Sequence, residues 1–511
     1  MTASVKSTQD TQWHPLDRRS LGVTAVLVGG ALIGAGIPIL IGMTRDDKPV
    51  GIVLAFGVPG VVLAVALAVL GDYLRWKKFS YRITGDRVES RTGILHRKHL
   101  SVHRDRIRSV DVTANPIYRA FGVAKVKIGT GQHGESDDGQ VTLDPISRER
   151  ADELRATLLD RTPTTATPTA VPTSDDAIAT LDWKWIRYAP LSVWPVLLGA
   201  AAIGVVFKVA DWFGAQDTVL HRAWEFIRDL PLWQAILLLV VVVLGVGLIC
   251  TLGLYVEMWS NYRLEREPGP TLRLQRGFLT KRSVSLEERR LRGIEVVEPL
   301  GARFVGAARL EAVATGLAKK AEDEKVASRM LLPEAPLEVA HAVAADVLRE
   351  QVAPTETVRL IAHPAAARGR RLRWALAGVA AVVVVLVVLG LTVTPVLLHI
   401  AWISAIVLTP PAVLAARDAY RNLGHGLSGD YAVTRHGVLA RRTVALRRNG
   451  IIGWTVRQTP FQRRAGLITL AATTAAVKGA YEFLDMDAHE GVAFADDALP
   501  DVLSQFLEPV D

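Results

Sequence analysis

A single cysteine, Cys250, stands in 511 residues. No internal disulfide framework can form, and without a CxxC pair or a Cys/His cluster a structural zinc has no ligand set. No nucleophile elbow, P-loop or HExxH string occurs, so the common signatures of hydrolase, nucleotide and metalloprotease chemistry have no residues to carry them. Charge is missing in a more telling way. Half the residues are hydrophobic and only 22% are charged, with a mean hydropathy of +0.24. The charged ones leave six long stretches empty. Length alone sets a prior of about three domains at roughly 150 residues each.

The empty stretches come in pairs: Leu21 to Met43 with Val50 to Gly71, Tyr188 to Phe207 with Trp233 to Tyr255, and Trp374 to Val393 with Pro395 to Ala416. A helix needs about 20 apolar residues to cross the hydrocarbon core, and a charge at its centre costs about 2.5–3.5 kcal/mol. All six meet both conditions, which predicts six transmembrane helices in three hairpins. Gly30, Gly34 and Gly36 are expected to let the first hairpin pack closely. The long apolar run of the first span, followed at once by a second, reads as a retained anchor and not as a signal peptide.

The formal charge of +9 would suggest nucleic acid if it were spread evenly. It sits instead beside the spans: Arg18, Arg19, Arg75, Lys77, Lys78, Lys184, Arg187, Arg263, Arg266, Arg368, Arg370, Arg371, Arg373, Arg417 and Arg421 flank the pairs on one side. The connections within pairs hold few bases, offset by acids. The positive-inside bias therefore predicts a multi-pass protein of the cell membrane whose amino terminus and large polar regions are cytoplasmic, with no nucleic-acid partner. Between spans three and four, Val219, Ala223, Phe226, Ile227 and Leu230 recur at helical spacing beside Trp224, as expected of an amphipathic helix lying at the outer interface.

The polar regions repeat. With Gly93, Gly277 and Gly437 as origins, position +14 holds Ile107, Leu291 and Ile451, and position +26 holds Arg119, Arg303 and Arg463. Position +29 holds Gly122, Gly306 and Gly466, and +33 holds Val126, Leu310 and Leu470. Leu95, Leu279 and Leu439 stand at +2, and basic Arg97, Lys281 and Arg441 at +4. An aromatic, Tyr81, Tyr262 or Tyr431, precedes each origin. Period-two alternation in 80–84, 87–91 and 124–128 predicts strands. A helical segment closes each copy: Ile146 to Leu159, Leu337 to Val352, and about Gly491 to Leu507. In the first, Ala151, Leu154 and Leu158 form the apolar face.

The chain thus divides into a cytoplasmic tail (1–20), a first hairpin (21–71), a first β domain (72–160), a Thr/Pro-rich linker (161–180) and a second hairpin (181–255). A second β domain (256–352), a linker (353–373), a third hairpin (374–416) and a third β domain (417–511) follow.

The stretch from Tyr81 through Gly131 resembles a bacterial pleckstrin-homology-like (PH-like) domain of the second class, as does Tyr431 to Gly479 with Pro460-Phe-Gln-Arg-Arg-Ala-Gly466. The alternation of membrane pairs with three such domains resembles the YdbT-like membrane proteins. The middle copy departs most, with Gly301 where the others have Ile117 and Phe461, and with an insertion at Glu267 to Pro270. The resemblance implies a small bent sheet closed by a carboxy-terminal helix, with no catalytic residues to carry over.

Other signals are discounted. Gly129-Thr-Gly-Gln-His-Gly134 matches GxGxxG, but an acidic turn follows it where a dinucleotide site needs a helix. His96, His99 and His103 lie in a β region where the odd offset puts His96 on the opposite face. His399, deep in a span beside Trp402, is expected to anchor at the interface. No cofactor or metal is expected. Arg119, Arg303 and Arg463 are either contacts that fix the repeat or ligands for an anionic headgroup. Arg104, Arg106, Arg108, Lys125 and Lys127 form a basic face, solvated or turned to anionic lipid.

The expectation is a non-enzymatic membrane scaffold whose three cytoplasmic domains engage a protein partner or the inner leaflet. Membrane lipids and a further copy of the chain are the partners considered from the residues. The resemblance adds a smaller membrane protein with one such domain. A transport or export component, acting in defence against membrane-active compounds, is the alternative, although spans without internal charge offer it little polar path.

Overall fold

Long uncharged runs of Leu, Val, Ala and Ile can satisfy their backbone only within a helix when water is excluded. In the computed structural model they are helical. The structure describes residues 12–500 except 46–49, 85, 94–97, 105–106, 108, 130–139, 160–176, 193, 268–269, 316–328 and 477. Helices α1 (Ser20–Arg45) and α2 (Val50–Lys78) come first. Short α3 (Pro116–Ala120) and α4 (Arg148–Leu159) belong to the first β region. A 3-10 segment, Trp183–Leu191, leads into α5 (Trp194–Trp212), α6 (Gln216–Ile227) and α7 (Leu232–Trp259). After α8 (Leu300–Phe304), α9 (Leu337–Leu348) and α10 (Pro354–Thr357) come α11 (Ala365–Thr392) and α12 (Val396–Arg421). The last are α13 (Pro460–Arg463) and α14 (Ala488–Ala498).

Five of these, Gly57–Lys78 within α2 together with α5, α7, α11 and α12, are long and apolar enough to cross a membrane. The apolar stretch Ser20–Gly36 of α1 is shorter. The close approach expected at Gly30, Gly34 and Gly36 is not found there: a Cβ on any of them meets nothing within 4 Å among the described residues. It occurs between α5 and α7, where a Cβ on Gly199 would stand 1.9 Å from the Val243 carbonyl oxygen and one on Gly247 1.7 Å from that of Pro195. Small residues act where two backbones touch, and composition does not say which pair that is. Helix α6 covers most of the predicted interfacial stretch and leaves Trp224 and Phe226 exposed.

The β regions contain nineteen described strands in four antiparallel sheets. In the first copy, β1 (Ser80–Ile83), β2 (Arg87–Thr92) and β3 (Lys98–His103) form one sheet; β4 (Ser109–Ala114), β5 (Val123–Gly129) and β6 (Gln140–Ser147) belong to another. That second sheet runs on into β10 (Lys281–Glu287), β9 (Thr271–Arg276), β8 (Arg263–Glu267) and β7 (Ala177–Thr180). A six-stranded sheet joins β13 (Met330–Pro336), β12 (Ala307–Ala314) and β11 (Leu291–Pro299) to β16 (Ala440–Arg447), β15 (Tyr431–His436) and β14 (Gly424–Ser428). The last sheet is β17 (Ile451–Arg457), β18 (Leu467–Thr474) and β19 (Ala480–Asp487). The strands of each copy are therefore shared between two sheets, where one bent sheet per copy was implied.

The chain resolves into two compact units, one holding the described residues up to Glu288 and the other those from Arg289. The cut falls inside the stretch 256–352 read as the second domain. In the first unit one core gathers Tyr81, Val88, Ile107, Val126 and Leu143 with Ala151, Leu154 and Leu158 of α4. In the second unit Val444, Leu446, Leu470 and Phe483 pack with Phe494 of α14.

The repeated glycines have one physical reason each. Gly93, Gly277 and Gly437 all have φ between +110° and +124°, and a Cβ on Gly277 or Gly437 would come within 2.0 Å of a backbone oxygen. Gly122, Gly306 and Gly466 share φ near +65° to +68°. Their carbonyls accept the first N–H of the closing helix in every copy, from Arg148, Leu337 and Ala488 at 2.8 to 3.1 Å. The Gly129–Gly134 string beyond Gly129, the Thr/Pro segment 161–174, His96, Arg106 and Arg108 lie outside the described residues.

Candidate functional site

Strand pairing between copies makes two joints. In the first unit β4 pairs antiparallel with β10, from Lys281 opposite Ala114 to Leu286 opposite Ser109. In the second unit β11 pairs antiparallel with β16, from Gly293 opposite Leu446 to Pro299 opposite Ala440. Counted from the origin glycines, opposed residues at both joints have offsets that total 25: +4 faces +21 at the first, and +3 faces +22 at the second. The same register recurs although few side chains are shared, so each joint is a property of the repeat.

Arg119 and Arg303 lie on the short helices α3 and α8 that follow the joint strands, and both point at the next copy. The Arg119 guanidinium donates to the carbonyls of Phe278 and Leu279 at 3.2 and 3.3 Å. Arg303 grips Asp418, at the end of α12, with two hydrogen bonds of 3.0 and 2.5 Å. That bidentate pairing with Asp418 raises the Arg303 pKa further. Arg463, at the same offset on α13, is exposed and its side chain has no partner among the described residues.

The second joint is laced with charge. Glu295 on β11 is buried, at 2.5 Å from Arg442 of β16 and 2.6 Å from Lys478. Burial by itself would raise its pKa, but Lys478 and Arg442 outweigh that and hold the carboxyl below its ordinary value. Glu298 accepts from Arg441 Nε at 2.7 Å and from a second guanidinium nitrogen. Beside this joint α11 is tied to the third copy: Asp485, fully buried, takes Arg370, Arg371 at 3.0 Å, and Gln462 at 2.9 Å. His363 and His425 stack edge to face, with Nε2 of the first 3.0 Å from Nδ1 of the second. Burial, then the neighbouring His363, pushes the His425 pKa down to about 4. Burial also lowers His363 and takes His436 to about 4.

The loops after the origin glycines sit against the ends of the long helices. Glu257 of α7 accepts the backbone N–H groups of Leu279 and Thr280, both at 2.9 Å. Asn422, just past α12, donates to the Gly437 carbonyl at 2.9 Å. Beside these helix ends Phe278 is 55% and Leu439 75% exposed, a costly display for side chains in water. Among the described residues no group of three or more His, Cys, Asp or Glu could hold a metal ion.

Paired membrane helices, a threefold β unit and glycine-fixed closing helices meet in the family whose model is described as a bacterial PH domain, which matches residues 21–162 and 374–495, just over half of the chain. The chain belongs to the bacterial PH domain family. The two matched stretches hold the first and third copies of the repeat, and the middle copy, split between the two compact units, lies outside them. A membrane relative, the UPF0699 transmembrane protein YdbT of Bacillus subtilis (strain 168), is 22% identical over 286 residues, covering 53% of this chain and 57% of that protein. The chain thus spans less than two thirds of that relative's length. No solved structure matches. A membrane protein with PH-type β domains is the description that these matches and the apolar helices share.

Sequence reasoning singles out the three arginines but not their direction, and it misses Asp418, Glu295, Glu298, Asp485 and the two histidines. A signal is present: Arg441 and Arg442 at +4 and +5 of one copy match Glu298 and Glu295 at +21 and +18 of the copy before. Arg370 and Arg371 stand out in the sequence only as part of a basic flank.

Proposed function

We propose that the chain is a non-enzymatic scaffold of the cell membrane, with six spans in three hairpins, a cytoplasmic amino terminus, and three cytoplasmic PH domains, each closed by its carboxy-terminal helix. The domains hold the inner leaflet and present their remaining surface to a protein partner. The observation that supports this is the placement of Phe278, Leu279 and Leu439, exposed apolar tips beside the carboxy-terminal ends of α7 and α12. Side chains there would enter the headgroup layer, with neighbouring Lys and Arg facing anionic lipid.

Two measurements test it. With Cys250→Ser as background, single cysteines at Asp47 and Gln216 should react with an impermeant thiol reagent in intact cells, whereas cysteines at Ser136, Ser328 and Ala488 should not; reaction at Ser136 overturns the orientation. A fluorophore on Leu439→Cys should be quenched by lipids carrying a quencher near the headgroup, and the absence of quenching overturns leaflet contact. A transport role predicts that His399→Leu abolishes any cellular phenotype, whereas the scaffold predicts that it does not.

A further inference from the structure

Two joints use up four strand edges of the repeat, and two edges of the same kind are left over. Among the described residues no strand pairs with the outer edge of β17, the counterpart of β4 and β11, or with that of β3, the counterpart of β10 and β16. We propose that β17 of one chain pairs with β3 of a second copy, head to tail, in the register of the internal joints. The proposal does not depend on leaflet contact or on the scaffold role.

Three observations carry it. First, the register is portable. Both internal joints obey the same offset rule, and applied to the outer edges of β17 and β3 it places Gly453 opposite Val102 and Arg457 opposite Lys98. Second, β17 is exposed where its counterparts are covered. Val456, at +19, is 52% exposed, while Val296 at the same offset of β11 is 1% exposed. Third, the arginines that cross both internal joints have one idle counterpart. Arg119 and Arg303 each bind the copy that follows, and Arg463 is exposed without a partner among the described residues.

An unpaired row of backbone N–H and C=O groups is a ready template for another strand, and β addition of this kind draws its affinity from the main chain. A second copy fits best because the chain itself carries the complementary edge. The opposition of Lys98 and Arg457 weakens the contact, but Arg457 lies 3.4 Å from Glu482, which supplies a counter-charge. Because the two edges differ, the contact is heterologous and builds closed rings or open rows.

Disulfide trapping tests the register. With Cys250→Ser as background, two differently tagged full-length chains carrying Lys98→Cys and Arg457→Cys are co-expressed and oxidised in native membranes. Directly opposed strand positions lie within disulfide range, so a crosslinked pair of chains is expected. His99→Cys with Arg457→Cys, shifted by one residue and so on opposite faces, should give at least tenfold less. Val456→Lys and Arg463→Glu, both exposed, should lower the yield at least tenfold with the chain still accumulating in the membrane. No crosslink at the in-register pair, or equal yield from the shifted pair, overturns the proposal. So would crosslinking untouched by Val456→Lys and Arg463→Glu while their binding to anionic vesicles is lost, which would assign this surface to lipid.

Discussion

The two internal joints have one backbone register and different chemistry. At the first, Arg119 reaches only backbone carbonyls, while Asp111 on β4 and Arg282 on β10 stand diagonally across the pair. At the second, the same diagonal holds Glu295 and Arg442 at 2.5 Å, with Lys478, Glu298, Arg441, Arg303 and Asp418 around them. The shared register cannot come from the Glu298–Arg441 pair, because the first joint holds Ala114 and Lys281 at those offsets. Strand pairing and the glycine-fixed origin turns set the joint; charge then decides how much one joint depends on a few side chains.

Stripping Glu295 of its partners should separate the two joints most. Arg442→Ala with Lys478→Ala leaves a carboxylate that is 1% exposed with no neighbouring cation from that pair. Leaving a buried charge uncompensated costs about 3–5 kcal/mol. Hydrogen exchange of β11 and β16 in the full chain should accelerate accordingly. Arg282→Ala at the first joint, where the side chain is exposed, should shift exchange of β4 and β10 by no more than about 1 kcal/mol. Equal effects would mean that the first joint hides a charge network of its own.

Acid should act on the second unit through His425 and its neighbours. His425 has its pKa depressed to about 4 from an ordinary value near 6.5, so the unfolded chain binds the proton first. Stability is then full above about pH 6.5 and falls as the pH drops toward 4, by about 1.4 kcal/mol for every pH unit between those two values. His363 and His436 are lowered in the same direction. Glu295, with its pKa lowered by its cations, adds a loss at still lower pH, below the ordinary carboxylate range. His425→Phe, filling the space beside Phe494, should flatten the upper part of this decline in the exchange rates of β14 and β15. A pH profile unchanged by this replacement would remove His425 as its source.

How much of this was readable in advance depends on the range of the interaction. Hydropathy located the helices because lipid acts on every residue of a span at once. The repeat located its glycines because a positive φ excludes nearly every other residue at that point. Copy-to-copy pairing was not legible, since an edge strand and a paired strand have the same alternation. Arg119, Arg303 and Arg463 share an offset but not a fate: one binds carbonyls, one a carboxylate, and one has no partner among the described residues. Asp418 could not be matched to Arg303 by spacing, because a pair of spans separates them in the chain.

The smallest expected effect compares those two crossing arginines. Arg303 and Asp418 have side chains only 19% and 25% exposed, and their two parallel hydrogen bonds need the planar guanidinium fork. Arg303→Lys keeps the charge and loses the fork, so it should cost about 1 kcal/mol or slightly more, read as faster exchange in α8 and the last turn of α12. Arg119 makes single long hydrogen bonds to carbonyls that water can serve equally well, and Arg119→Lys should cost a few tenths of a kcal/mol at most. If Arg119→Lys proved as damaging as Arg303→Lys, the crossing arginine would matter for its reach over the joint and not for the carboxylate at its far end. The two joints would then be alike in side chains as well as in backbone.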